Sequence, residues 1–166
     1  MKPFLVRVRF QDGMAVKAGK LLAEGETGQE VHAASFLDKR LIVLDRALLA
    51  RPRELKRIWI HELFHFVWWR LGNNRRLSWE QFVLREVRAR ASGELGWSAE
   101  WRKRALTPAD YRARTRRWRE YCCESFCDSA AWLLSGVSTH GEFTLPREHR
   151  AARRKWLREF LRYNSS

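Results

Sequence analysis

Between Pro52 and Gly72 the chain reads as a helix with almost no polar face, and this constrains the fold more than any other segment. Proline is preorganised for a first helical turn and glycine for the exit, so the pair brackets a helix over residues 52–71. Ile58, Trp59, Ile60, Leu63, Phe64, Phe66, Val67, Trp68 and Trp69 occupy nearly every side of it. A surface helix shows a polar side, whereas one that is apolar all round belongs in a core. Inside this run sits His61-Glu62-Leu63-Phe64-His65, an HExxH motif. Residues four apart share a helix face, so both imidazoles reach one ion. Buried imidazoles and a buried carboxylate need partners, and a shared metal supplies them. Zinc takes neutral nitrogen donors on a fixed frame plus an open position for water, and Glu62 stands beside that position as a base. One Zn2+ per chain, held in part by His61 and His65, is the expected cofactor.

A third ligand is expected from Tyr121-Cys122-Cys123-Glu124-Ser125-Phe126-Cys127-Asp128-Ser129-Ala130-Ala131. Glu124 and Asp128 again lie four apart, so on a helix both carboxylates point to one side. The surrounding Cys123, Phe126, Cys127, Ala130, Ala131 and Leu134 are too apolar for an exposed helix. Glu124 completes a His, His, Glu set, and Asp128 accepts the free ring N–H of a ligand histidine, fixing its tautomer. Glu120 competes with Glu124 for the ligand role. The ordinary alternative is a solvated acidic face.

These residues resemble the gluzincin clan of zinc metallopeptidases, whose pattern is HExxH followed on a later helix by a glutamate, often written ExxxD. Within that clan the chain looks most like the small intracellular members of the ImmA/IrrE type, in which a strand, a turn and a second strand lead into the HExxH helix. Here that stretch is residues 31–36, 37–40 and 41–45. The resemblance covers about residues 31–72 and 120–136. The chain departs from the pattern at Phe64, where such proteins usually have a small residue, and in the longer gap before the glutamate helix. The resemblance implies a zincin-like α+β fold and an edge strand above the metal, along which Ala33, Ala34 and Ser35 line a peptide cleft. A plain hairpin covering the core suits the same residues equally.

The fold expected is α+β, with strands first and helices afterwards. A small, mostly antiparallel N-terminal sheet and the HExxH helix form a subdomain over residues 1–72, and a helical subdomain over 73–166 brings the third ligand, the two making one compact catalytic domain. Phe4 to Phe10 reads as a strand ending at the turn Gln11-Asp12-Gly13, and a second strand includes Ala15 and Val16. Residues 18–30 read as a loop. Ser78-Trp79-Glu80-Gln81 is a capping box opening a helix to Ala91, and Ser98 caps a shorter one through Leu106. Thr107-Pro108-Ala109-Asp110 opens a long helix that carries the ligand segment and stops before Gly136. Pro146 lies near the start of a last helix ending around Tyr163.

A net charge of +14 attracts polyanions through counterion release, which raises nucleic acid or an acidic protein as partners. The arginines are dense over residues 102–104, 112–119 and 147–158, with Trp101, Trp118 and Trp156 among them. Arginine beside an aromatic suits base stacking. Amphipathic helices with solvated arginines and buried tryptophans produce the same composition, and for individual arginines that is the expected arrangement. The crowded Cys122, Cys123 and Cys127 read as buried reduced thiols. No stretch reaches the ~20 apolar residues of a membrane span, and the start of the chain is charged too early for a signal peptide, so a cytoplasmic protein without membrane contact is expected.

Together these readings describe a zinc metallopeptidase acting on peptides or proteins, regulatory or narrow in specificity. Zinc held by His61, His65 and Glu124 lowers the pKa of water towards ~7, and Glu62 accepts its proton and passes it to the leaving amine. An oxyanion donor is expected at His140, with Tyr111, Tyr121 and His149 behind it. The alternatives are a nucleic-acid-associated protease recruited by its basic helices and a catalytically silent zinc-binding interaction or sensor module.

Overall fold

The computed structural model describes residues 5–17, 20–21 and 29–164. It is α+β and mostly helical. Among the described residues, strands β1 (Arg7–Gln11), β2 (Ala15–Lys17), β3 (Lys20–Leu21), β4 (Gln29–Glu30), β5 (Ala33–Phe36) and β6 (Leu41–Asp45) precede a short 3-10 helix (Arg46–Ala50) and six α-helices. These are α1 (Pro52–Arg70), α2 (Asn73–Arg88), α3 (Trp97–Arg104), α4 (Pro108–Arg112), α5 (Arg116–Ser135) and α6 (Arg147–Asn164).

Two small sheets form. One has the order β1-β6-β5, the other β3-β2-β4. β5 and β6 make the expected antiparallel hairpin, in the register Ala33 opposite Leu44 to Phe36 opposite Leu41. β1 pairs with β6 in parallel, Arg7 opposite Leu41, so the sheet beside α1 is mixed rather than antiparallel throughout. The second sheet is antiparallel, and β3 and β4 fall inside the stretch read as a loop. Phe4, residues 18–19 and residues 22–28 of those expectations lie outside the described residues.

β6 is the central strand, with Ile42, Val43 and Leu44 buried. Ile42 and Leu44 pack with Leu48, Leu55, Ile58, Leu63 and Phe66 in a core between the sheet and one face of α1. The opposite face of α1 offers Ile60, Phe64, Val67 and Trp68 to a larger core built around α5. Helix α1 thus belongs to both halves of the chain, which is why it carries so little polar surface. It is less completely enclosed than its composition implies: Trp59 and Trp69 are exposed, the latter by 55%.

α5 is the hub, packed against α1 most extensively and also against α2, α3, α4 and α6. Three helix boundaries differ from the sequence reading. α2 starts at Asn73, before Ser78, because the Gly72 carbonyl accepts the amides of Arg75 and Arg76, while the Arg76 guanidinium takes the last carbonyls of α1 at Trp68 and Trp69. α3 starts at Trp97 after Gly96, not at a Ser98 cap. The long helix from Thr107 is two, α4 and α5. Arg114 takes a left-handed φ of +46°, and Thr115 caps α5 by accepting the Trp118 amide. No helix among the described residues is long and apolar enough to cross a membrane.

Candidate metal centre

His61, Glu62 and His65 lie on α1, and Glu124 and Asp128 on α5, where these two helices pack together. The stride of four puts His61 and His65 on one face, and their rings meet edge to face with centroids 4.9 Å apart. Nε2 of His61 and Nε2 of His65 are 3.1 Å apart. Glu124 Oε2 stands 3.3 Å from the first and 3.8 Å from the second. Three donor atoms that face one another at such distances, two of them ring nitrogens, have the spacing of ligands around one small cation. The competitor, Glu120, is 44% exposed and paired with Arg116, so it faces solvent.

Asp128 fixes the first imidazole. Its Oδ1 is 2.7 Å from His61 Nδ1, which leaves Nε2 turned to His65 and Glu124, and its Oδ2 accepts the Ala99 amide in the first turn of α3 at 3.0 Å. Gly96 makes this approach feasible, since a Cβ there would collide with the Asp128 carboxylate. Glu124 is held in a similar way. Arg102 Nη2 lies 3.4 Å from Oε1 and leaves Oε2 to the imidazoles.

The electrostatics of the site are those of an anion-rich pocket. Burial disfavours charge on His61, but Asp128 and Glu124 outweigh it and hold the ring protonated well above its ordinary range. His65 is pushed up to about 9 because Cys123 and Glu124 overcome burial and the repulsion of His61. Burial raises Glu124, but the two imidazoles and Arg102 bring it down to about 2. A site that gathers protons this strongly also suits a divalent cation, which displaces them.

Glu62 is buried and held from the sheet. Ser35 Oγ donates to its Oε2 at 2.6 Å and lies 3.0 Å from its backbone carbonyl. β5 is an edge of its sheet among the described residues. The Asp45 amide donates to the His32 carbonyl at 2.8 Å. Antiparallel bonding alternates, so Ala34 is engaged with Val43 while the backbone groups of Ala33 and Ser35 turn to the open edge. Of the expected cleft residues, Ala33 and Ser35 therefore offer pairing groups and Ala34 does not.

A cleft of about 540 Å³ opens beside His61 and Glu62. Ala33 forms part of one wall, and Trp97 and Trp101 part of the other, both substantially exposed. His140 is not among its lining residues: Nδ1 accepts the Glu142 amide at 3.2 Å, and Nε2 lies 3.3 Å from Glu54. Tyr121 is buried and donates to Glu94 at 2.6 Å, and Tyr111 packs edge-on against Trp118. His149 lies on α6, outside the cleft lining. The donors that do line the cleft include His32 and Arg102, both passed over in the sequence reading. Arg102 sits in a basic run read as solvated, yet its guanidinium stacks 4.2 Å over Trp101, and its Nε is buried without a hydrogen-bond partner among the described residues. Trp118 is fully buried and Trp156 packs on the core, so neither is free to stack on a base. No family model matches this chain, and no curated protein and no solved structure matches it.

Proposed function

We propose that this chain is a zinc-dependent peptidase of gluzincin type, cutting an extended peptide laid along β5. The observation that carries the reading is the convergence of His61 Nε2, His65 Nε2 and Glu124 Oε2 beside a carboxylate, Glu62, that an open edge strand holds in place. A bound Zn2+ supplies Lewis acidity, acidifying water and polarising the scissile carbonyl. Ser35 occupies Oε2 of Glu62, so Oε1 takes the proton of the attacking water and returns it to the leaving amine. Asp128 keeps His61 in the tautomer that presents Nε2 to the ion. The open backbone groups of Ala33 and Ser35 grip the substrate main chain as an added strand. Trp97 and Trp101 form a rim suited to an apolar side chain, and His32 and Arg102 are donors placed for the oxyanion.

Metal analysis of the purified chain tests the site, with about one zinc expected at this centre and most of it lost in Glu124→Ala. Zinc retained at this centre in that variant removes Glu124 from the ligand set. Against a peptide library, Glu62→Gln keeps the metal and abolishes hydrolysis; continued cleavage by that variant ends the mechanism.

The solvent face of α6 favours recruitment by nucleic acid as a second reading. Arg154, Lys155, Arg158 and Arg162 are all exposed along it in a chain of net charge +14. Binding to duplex DNA that weakens steeply with salt supports it, and no binding at physiological ionic strength removes it.

A further inference from the structure

α5 carries two pairs at the same stride. Glu124 and Asp128 form one, and Cys123 and Cys127, each one residue earlier, form the other. One residue turns a helix by about 100°, so the two stripes point to different places. The carboxylates meet His61. The thiols meet the far side of His65.

An imidazole has two nitrogens on different edges, and His65 uses both. Its Nε2 faces His61, whereas its Nδ1 lies 3.5 Å from Cys123 Sγ. His65, Cys123 and Cys127 each offer a ligand atom, and these atoms all lie within 4.8 Å of one another. With metal–sulfur and metal–nitrogen bonds of ~2.3 and ~2.0 Å at a tetrahedral angle, sulfur and nitrogen ligands sit ~3.5 Å apart. That is the separation found between Cys123 and His65.

We propose that His65 Nδ1, Cys123 Sγ and Cys127 Sγ form a second metal site, for a thiophilic cation of the Zn2+ or Cd2+ class. Two sulfurs and one imidazole select borderline and soft ions over Mg2+ or Ca2+. Binding forms two metal–sulfur bonds and one metal–nitrogen bond, and the two thiol protons and the proton on His65 Nδ1 leave to solvent. When both sites are filled, the Nε2 proton leaves as well and His65 bridges the ions as an imidazolate. No electron changes hands. Cys127 is fully buried, so two thiolates against one divalent ion keep that corner of the core neutral. The site shares only His65 with the proposed catalytic centre, so either can fail alone.

Titration of the reduced, metal-free chain with Co2+, the spectroscopic stand-in for Zn2+, decides the matter. Two equivalents per chain and a thiolate-to-cobalt charge-transfer band in the near ultraviolet are expected. Cys123→Ser with Cys127→Ser loses the band and keeps one equivalent. Glu124→Ala keeps the band and loses the other equivalent. A wild-type chain that binds cobalt without any thiolate band overturns the proposal, and needs no variant to fold. A band with a single equivalent, unchanged in Glu124→Ala, leaves the thiolate site standing and removes the catalytic one.

Discussion

Ser35 Oγ and Glu62 Oε2 are 2.6 Å apart, which ties the open edge strand to the only carboxylate of the HExxH run. Among the described residues, the residue whose backbone groups turn to the open edge also orients the proposed base. Ser35→Ala is therefore expected to keep its metal and to lose ~10-fold or more in kcat with little change in KM, since outer hydrogen-bond partners at such sites are worth ~10–100-fold. Ser35→Thr restores most of the loss. Equal turnover in Ser35→Ala and the parent chain rejects this role.

Gly96 predicts a steric route to the same centre. A methyl group there has no room beside the Asp128 carboxylate, so Gly96→Ala displaces Asp128 from His61 and from the Ala99 amide. Metal affinity measured against a chromophoric chelator should fall ~10–100-fold. Gly141→Ala is the control, because nothing lies within 4 Å of a Cβ at that position.

Protons and the proposed metal ion would compete for the imidazoles. His65 holds a proton up to about 9 and His61 is raised in the same direction, so without a cation the imidazole pair carries protons at neutral pH that an ion must displace. Apparent affinity should climb as pH rises towards 9, by roughly tenfold per pH unit for each proton displaced. Calorimetry in buffers of different ionisation enthalpy counts those protons. An affinity that is flat between about pH 6 and about pH 8 contradicts the proton-loaded site.

Away from the centre, Arg153 is fully buried and donates to Glu94 at 2.5 Å and to Glu86 at 2.7 Å. Arg153→Met removes the cation that Glu86 and Glu94 share and is expected to destabilise the fold by roughly 3–5 kcal/mol in urea unfolding.

The same network fixes the response to acid. Burial raises the Glu94 carboxyl, but Arg153, Lys103 and Tyr121 prevail and bring it to about 2, below its ordinary 4.5. A depressed carboxyl contributes its full stability above its unfolded value, so this contribution is intact above pH 4.5 and drains away as pH falls towards 2. In Arg153→Met only Lys103 and the Tyr121 hydroxyl still oppose burial at Glu94, so the variant has less of this stability to lose and mild acid narrows the gap between variant and parent. Parallel pH profiles for the two proteins refute the assignment.

Local patterns were legible in the sequence. The stride of four at His61 and His65 and at Glu124 and Asp128, the hairpin before α1 and the bracketing of α1 by Pro52 and Gly72 all rest on periodicity or turn chemistry, which neighbouring residues determine. Pairings across long separations were not. Nothing local tells Ser35 that Glu62 is opposite, or β1 that it will join β6 in parallel. Arg102 and Arg153 were absorbed into basic runs because composition cannot say which arginine turns inward. A finer reading had a signal for one of them. Arg153 shares a helix stripe with Leu157 and Phe160, as Glu86 does with Trp79 and Val83, and a charge on each of two core stripes calls for a partner on the other. The break between α4 and α5 was hidden because Thr115 reads as an ordinary interior residue unless Arg114 is known to be left-handed.

Asp128 reaches His61 with one oxygen and the first turn of α3 with the other, and α3 carries Trp97 and Trp101. A carboxylate is rigid and planar, so the aim of the imidazole and the width of the cleft mouth behave as one mechanical variable. A bulky side chain wedged against the tryptophans would tug on the His61 ring. Under the proposed function, selection of the guest and readiness of the metal would be geared together through a single side chain.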